Sequence, residues 1–269
     1  MNAGTLVPPL AGRVLRARTP SAGPHLICRV VLVEHEGRYA LIDTGFGEED
    51  LRAPRERLGG SFLWMAGPKL QQDELVTHKL YDLGIETERI EAVYFTHLDL
   101  DHTGGLPAFG EAKAIAHEAE IHAAFQGQSR KETLRYRRDL HLAQHPRPWG
   151  SFPTFDETWF GLPAAPLQLL PEGDAFVLDL PGHSAGHCGF ALREEGRWTV
   201  FVGDACLEID EFTRPDASTP LGVRLHHLGA DHNRQRARET RAALHRAFVR
   251  APSGTRWWTS HDPREALSP

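Results

Sequence analysis

Apolar residues along this chain recur in short bursts, and the spacing within each burst predicts the element it forms. Ile27 to Val33 is rich in β-branched residues, Glu34 to Gly37 reads as a turn, and Arg38 to Ile42 resumes as a strand, so a hairpin is expected. It runs into Asp43-Thr44-Gly45, which puts a carboxylate and a hydroxyl at a strand end where glycine permits a sharp turn. Gln72 to Leu83 carries Leu75, Val76, Leu80 and Leu83 at helical spacing and closes on Gly84. Ile90 to Phe95 predicts a buried strand, Thr96 to Gly105 a polar loop, Ala112 to Ala116 a strand and Glu118 to Phe125 a helix.

Residues 126–164 break this alternation. An Arg-rich amphipathic stretch, Arg130 to Leu142, precedes a proline and aromatic cluster that includes Trp149, Phe152 and Trp159, and the segment reads as an inserted cap. Beyond it, Leu167 to Leu170, Ala175 to Leu180, Cys188 to Arg193 and Trp198 to Val202 predict four strands of an antiparallel sheet. Asp231 is expected to cap a helix reaching about Phe248, and Arg256 to Thr259 to form a last strand. There is no internal repeat, and a single domain over residues 1–269 with a cap at about 126–164 is expected.

Composition narrows the function classes. With 30 basic against 36 acidic residues the net charge is -6, which argues against a nucleic-acid binder. The three cysteines, Cys28, Cys188 and Cys206, form no C-x-x-C pair, so neither a thiolate zinc site nor a disulfide framework is indicated and a reducing compartment fits. The first residues lack an apolar run of signal-peptide length, and nowhere do enough apolar residues follow one another to span a bilayer. A cytoplasmic protein without membrane contact is expected.

The informative excess is histidine, at 16 residues. Four apolar strands run straight into metal-competent side chains: Val93-Tyr94-Phe95-Thr96 before His97, Val177 to Leu180 before Pro181-Gly182-His183, Val200-Phe201-Val202 before Gly203-Asp204, and Trp257 to Ser260 before His261. Strand ends hold ligands rigidly. In an extended stretch alternate side chains share a face, so His97, Asp99 and Asp101 converge while Leu98 and Leu100 anchor, and His102 turns with the loop. Taken singly, each residue of the His97 to His102 segment reads better as a position in an exposed polar loop. His117, His122, His141, His145, His226, His227 and His232 read as surface, and Arg135 as part of a solvated helix face.

Thr96-His97-Leu98-Asp99-Leu100-Asp101-His102-Thr103-Gly104-Gly105 resembles the H-x-H-x-D-H signature of the metallo-β-lactamase superfamily. The segments at Asp43, His183, Asp204 and His261 resemble that family's other motifs, in order, so the likeness covers about residues 25–262. It implies an α+β fold, the four-layer αβ/βα sandwich of two mixed β-sheets with helices on the outer faces. It also implies two divalent metal ions, one bound by His97, Asp99 and His183, the other by Asp101, His102 and His261, with Asp204 bridging. Asp101 and Asp204 are the expected catalytic carboxylates, and Asp43 orients a ligand. Asp99 stands where the family has its second histidine; zinc is the family's usual metal, and a hard anionic ligand there makes iron or manganese plausible. The layout is nearest the acyl-homoserine lactone lactonases, which implies a metal-bridging hydroxide acting on a lactone or ester of small-molecule size. Alternatives are thioester or phosphodiester hydrolysis, an iron-dependent redox enzyme whose electron donor is a separate protein, and a non-catalytic binding module. The oligomeric state is left open.

Overall fold

The computed structural model describes residues 1–9, 11, 15, 18–19, 23–127 and 129–269. They fall into two compact units, one of Met1–Leu10 with His25–Ser151, the other of Ala11–Pro24 with Phe152–Pro269. Each unit has its own mixed sheet.

In the first unit, β1 (Asn2–Leu6) pairs antiparallel with β4 (Leu26–Arg29) as a small separate sheet. The strand expected over Ile27 to Val33 is therefore two strands. The break falls at Val30, whose N–H donates to the Met1 carbonyl, and the chain then enters the main sheet as β5 (Val31–His35). β5 pairs antiparallel with β6 (Arg38–Ile42) through the two-residue turn Glu36-Gly37, both with positive φ (52° and 75°). That geometry matches the natural twist of a hairpin, and Gly37 carries the larger φ at no steric cost. β7 (Ile90–Tyr94), β8 (Lys113–Ala116) and β9 (Gly150–Ser151) follow in parallel, giving the order β5-β6-β7-β8-β9. β6 and β7 finish in fully buried triplets, Ala40-Leu41-Ile42 and Ala92-Val93-Tyr94, so the polar residues after them are delivered from rigid apolar stems.

The helix expected from Gln72 begins as a single 3₁₀ turn and becomes α-helical over Val76–Asp82. It ends in a Schellman arrangement: Gly84 N–H reaches the Tyr81 carbonyl and Ile85 N–H the Leu80 carbonyl. The loop expected from Thr96 to Gly105 contains one helical turn, Leu100–Thr103, with Asp99 in extended conformation at its N-cap. Asp101 and His102 therefore project from a helical turn, and the alternation argument holds only as far as Asp99.

In the second unit β2 (Arg18–Thr19) and β3 (Gly23–Pro24) form a two-stranded pair. The main sheet runs β10 (Glu157–Trp159), β11 (Leu162–Pro166), β12 (Ala175–Asp179), β13 (Cys188–Glu194), β14 (Arg197–Phe201), β15 (Arg256–Trp258) and β16 (Ala266–Leu267). All neighbours are antiparallel except β14 and β15. The strand expected at Leu167 to Leu170 lies earlier, at β11. Pro163 and Pro166 disguise it, because proline cannot donate to a ladder and is confined to positions that do not call on its N–H. Segment 126–164 contributes two short helices and β9 to the first unit, and β10 with the start of β11 to the second.

A further correction concerns Asp231. The long helix spans Arg234–Arg250 and is capped by Asn233, whose side chain accepts from Arg236 N–H at 3.0 Å. Asp231 instead ends a preceding helix, Leu221–Ala230, and is buried. Around this sheet Trp159, Leu244, Phe212, Phe248 and Trp257 close a core in which Trp257 meets Trp159, Phe212 and Phe248 at ring-centroid distances of 5.8, 5.5 and 5.8 Å. The indole N–H of Trp257 is satisfied by Ser268 Oγ at 2.9 Å. No helix among the described residues is long and apolar enough to cross a membrane.

Trp257→Ala is expected to destabilise the chain by about 3–5 kcal/mol through the cavity it leaves. Urea denaturation followed by circular dichroism measures this, and a loss below about 1 kcal/mol would show that the aromatic cluster contributes little.

Candidate metal-binding residues

β6 ends at Ile42, and Asp43 enters the left-handed region with φ 60°, where a non-glycine residue is strained. The strain is held by a dense set of bonds. Asp43 N–H donates to the Tyr94 carbonyl at 2.9 Å; its Oδ1 accepts from Thr96 N–H at 2.9 Å and its Oδ2 from Thr96 Oγ1 at 2.8 Å. The same Oδ2 lies 2.9 Å from His102 Nδ1, and Thr96 Oγ1 lies 2.9 Å from His97 Nδ1. One carboxylate and one hydroxyl thus engage the Nδ1 atoms of both histidines and turn their Nε2 atoms to the acids of the loop, the orientation a metal-ligating imidazole needs. His97 Nε2 is 3.3 Å from Asp99 Oδ2, and His102 Nε2 is 3.9 Å from Asp101 Oδ1. The two rings sit 4.0 Å apart, both fully buried. Burial pushes the Asp43 carboxyl up, against the pull of His102 and the two Thr96 donors.

Thr44 explains the rest of the D-T-G element: its N–H and Oγ1 both donate to the His102 carbonyl at 2.8 Å. The loops approach so closely that a Cβ on Gly104 would stand 2.0 Å from Asp50 Oδ2, so this position admits no side chain. Glu120 Oε1 accepts from Leu98 N–H at 3.1 Å and fixes the loop between His97 and Asp99.

Asp99 has a partner that the sequence did not suggest. Arg135, expected on a solvated helix face, is nearly buried and grips Asp99 with both arms of its guanidinium, Nε on Oδ1 and Nη2 on Oδ2, the latter at 2.8 Å. Burial opposes the charged guanidinium, but Asp99 outweighs it and raises the Arg135 pKa. No local signal marks this pair, because the two residues are separated by 36 positions.

In the second unit, β12 leads into the loop that carries His183. Gly182 has φ 132°, and a Cβ there would lie 2.3 Å from Ala237 N, so glycine lets the long helix press against the loop. β14 and β15 run parallel and deliver Asp204 and His261 side by side, with Ser260 N–H donating to the Gly203 carbonyl at 3.2 Å. His261 Nε2 lies 2.9 Å and His183 Nε2 3.7 Å from the same oxygen, Asp204 Oδ2. Two imidazoles converging on one buried carboxylate form a donor set suited to a divalent cation. His187 supports this set: its Nδ1 donates to the Leu180 carbonyl at 3.0 Å and its Nε2 accepts from Asp204 N–H at 2.9 Å. Cys206 is buried, and burial holds its thiol well above the usual range.

Behind His183 lies a network that periodicity could not reveal. Asp231 Oδ1 is 3.7 Å from His183 Nδ1 and 3.2 Å from His227 Nδ1, while its Oδ2 accepts from Arg241 at 3.2 Å. His227 Nε2 is 2.6 Å from Glu211 Oε2. Burial alone would lower the His227 pKa, but Asp231 and Glu211 raise it to about 9. Burial would likewise raise Asp231, but His183, His227 and Arg241 hold it well below the usual carboxylate range. His226, expected at the surface, stacks parallel to the His183 ring at 5.8 Å; burial, with His227 and His183 beside it, lowers its pKa to about 3.

A family model for the metallo-beta-lactamase superfamily matches residues 23–258. A probable metallo-hydrolase of Mycobacterium tuberculosis is 35% identical over 200 residues, which is 74% of this chain and 63% of that protein, so the match spans less than two thirds of the relative's length. An N-acyl homoserine lactonase of Rhizobium johnstonii is 27% identical over 164 residues, 60% of this chain and 58% of that one. Among solved structures, an N-acyl homoserine lactone hydrolase with N-hexanoyl-L-homoserine bound at its catalytic metal centre superposes with a TM-score of 0.69 at 20% identity, covering 98% of this chain and 92% of that one, a likeness of fold.

Two outcomes are expected from this geometry. Asp43→Asn replaces the acceptor facing His102 Nδ1 with an amide and should weaken metal affinity by about 10–100-fold with the fold retained; chelator competition monitored by metal release measures it. The His227 pKa lies above its ordinary value, so its stabilising contribution is complete below about pH 6.5 and is lost as pH rises through about 9. Denaturation of wild type and His227→Gln across pH 6 to 10 should show this alkaline loss in the wild type alone.

Proposed function

Since this chain belongs to the metallo-β-lactamase superfamily, we propose that it is a metal-dependent hydrolase acting on a small lactone or ester. The observation that carries the reading is that each unit holds a prepared donor set: in the first, His97 and His102, each with Nδ1 engaged by an oxygen and Nε2 turned toward a carboxylate; in the second, His183 with His261, converging on Asp204. We assign His97, Asp99, Asp101, His102, His183, Asp204 and His261 as ligands of two divalent cations, with Asp204 shared, in a chain working as one domain with a cap at about 126–164. When bound, such a pair supplies a hydroxide at neutral pH and Lewis acidity toward the substrate carbonyl oxygen.

The chain's own residues divide the remaining work. Asp101 is suited to accept a proton, since its carboxylate is nearly buried and lies within about 3.9 Å of His102 Nε2 and Cys28 Sγ. Asp43 and Thr96 fix the tautomers of His97 and His102, and Asp231 faces Nδ1 of His183. Arg135 claims both oxygens of Asp99, which moderates the donor strength of that carboxylate and weakens its pull toward iron or manganese, so zinc is the first metal expected. The lactonase relative supports a lactone ahead of thioester and phosphodiester substrates. Three buried cysteines without a disulfide favour a cytoplasmic setting.

Metal analysis of the full chain, wild type beside His102→Ala and His261→Ala, tests the assignment. About two ions per chain are expected in the wild type, with each variant losing one while remaining folded; full occupancy in both variants refutes the ligand set. Loaded protein is then screened against acyl-homoserine lactones, aryl esters, acyl thioesters and phosphodiesters. Iron alone, at about one per chain, would turn the reading to redox chemistry, and no metal at all to a binding module.

A further inference from the structure

The helices Leu221–Ala230 and Arg234–Arg250, with residues 211–219, line an open cavity of about 710 Å³. Its walls are strongly basic in a chain whose net charge is -6. Arg224 comes from the first helix; Arg234, Arg238, Arg241 and Arg246 come from the second. The two acids in the wall, Glu211 and Asp231, are already engaged by His227 and Arg241. Arg224, Arg238 and Arg246 form no ion pair among the described residues, and Arg234 Nη2 donates to the Leu228 carbonyl at 2.8 Å.

Arg234, Arg238 and Arg246 occupy one stripe of the helix, at spacings of four and eight residues. Like charges at such spacing repel, so the arrangement costs stability unless something anionic compensates it. Arginine is also the side chain whose planar fork matches phosphate oxygens in pairs, which a chance solvated stripe does not require. The cavity is chemically connected to the candidate metal ligands: Asp231 and His227 stand in its wall, and Asp231 faces His183 Nδ1. We propose that this cavity is a binding site for the diphosphate group of a phosphorylated small molecule, held by Arg224, Arg234, Arg238 and Arg246. It goes beyond the hydrolase reading, since an uncharged lactone needs none of these four residues.

The test is calorimetric titration of the metal-loaded full chain with ADP as the probe at low ionic strength. Saturable binding of one ADP per chain is expected. It should weaken by at least about tenfold in Arg238→Glu and in Arg246→Glu, and by a similar factor in Arg224→Gln, as loss of a charged bidentate contact implies. It should also weaken as salt is raised. Metal content and turnover of an uncharged lactone should stay at wild-type levels in all three, which separates failure here from failure of the hydrolase reading. Affinity unchanged in the variants places the nucleotide at the metals and overturns the site, as does the absence of saturable binding. A single-stranded oligonucleotide that displaces ADP at lower concentration would overturn the small-molecule assignment.

Discussion

The candidate site in the first unit depends on one buried carboxylate. Asp43 is strained and fully enclosed, and burial pushes its carboxyl up, yet three bonds converge on its two oxygens, from Thr96 N–H, Thr96 Oγ1 and His102 Nδ1. It joins the end of β6 to the end of β7 and, through Thr96, reaches His97 as well. Without that carboxylate His102 Nδ1 and Thr96 lose the acceptor they share, and one of the ties between the loop and the hairpin is gone. The hydrophobic triplets at the ends of β6 and β7 make such a buried polar group tolerable, because they hold its partners where they must be.

The second unit reaches a similar end by other means. Parallel pairing of β14 with β15 places Asp204 and His261 together, and an imidazole, His187, replaces the carboxylate as the fixing group by bonding the backbone of Asp204. A layer of charge then lies behind His183, where Asp231 is shared among two histidines and an arginine.

Much of this was legible in the chain. Hydrophobic runs ending in His97, His183, Asp204 and His261 marked the strand ends, because burial and ligand placement are both local consequences of a strand meeting a polar turn. The D-T-G element was visible for the same reason. What escaped were pairings between distant positions. Arg135 looked solvated because an amphipathic helix shows which face is polar and not what that face meets. Asp231 looked like a helix cap because a carboxylate before a helical run usually is one, while Asn233, two residues on, takes that role. β11 was hidden by its prolines, and the helical turn at Leu100–Thr103 by a motif that reads as extended.

The Asp99–Arg135 pair also constrains how this sequence can change. A lone Asp99→His exchange removes the carboxylate that the Arg135 guanidinium grips with both arms. Replacing Arg135 removes the guanidinium from a carboxylate that also lies 3.3 Å from His97 Nε2. The two positions share one interaction, so the effects of changing them are not additive and each constrains what the other can become.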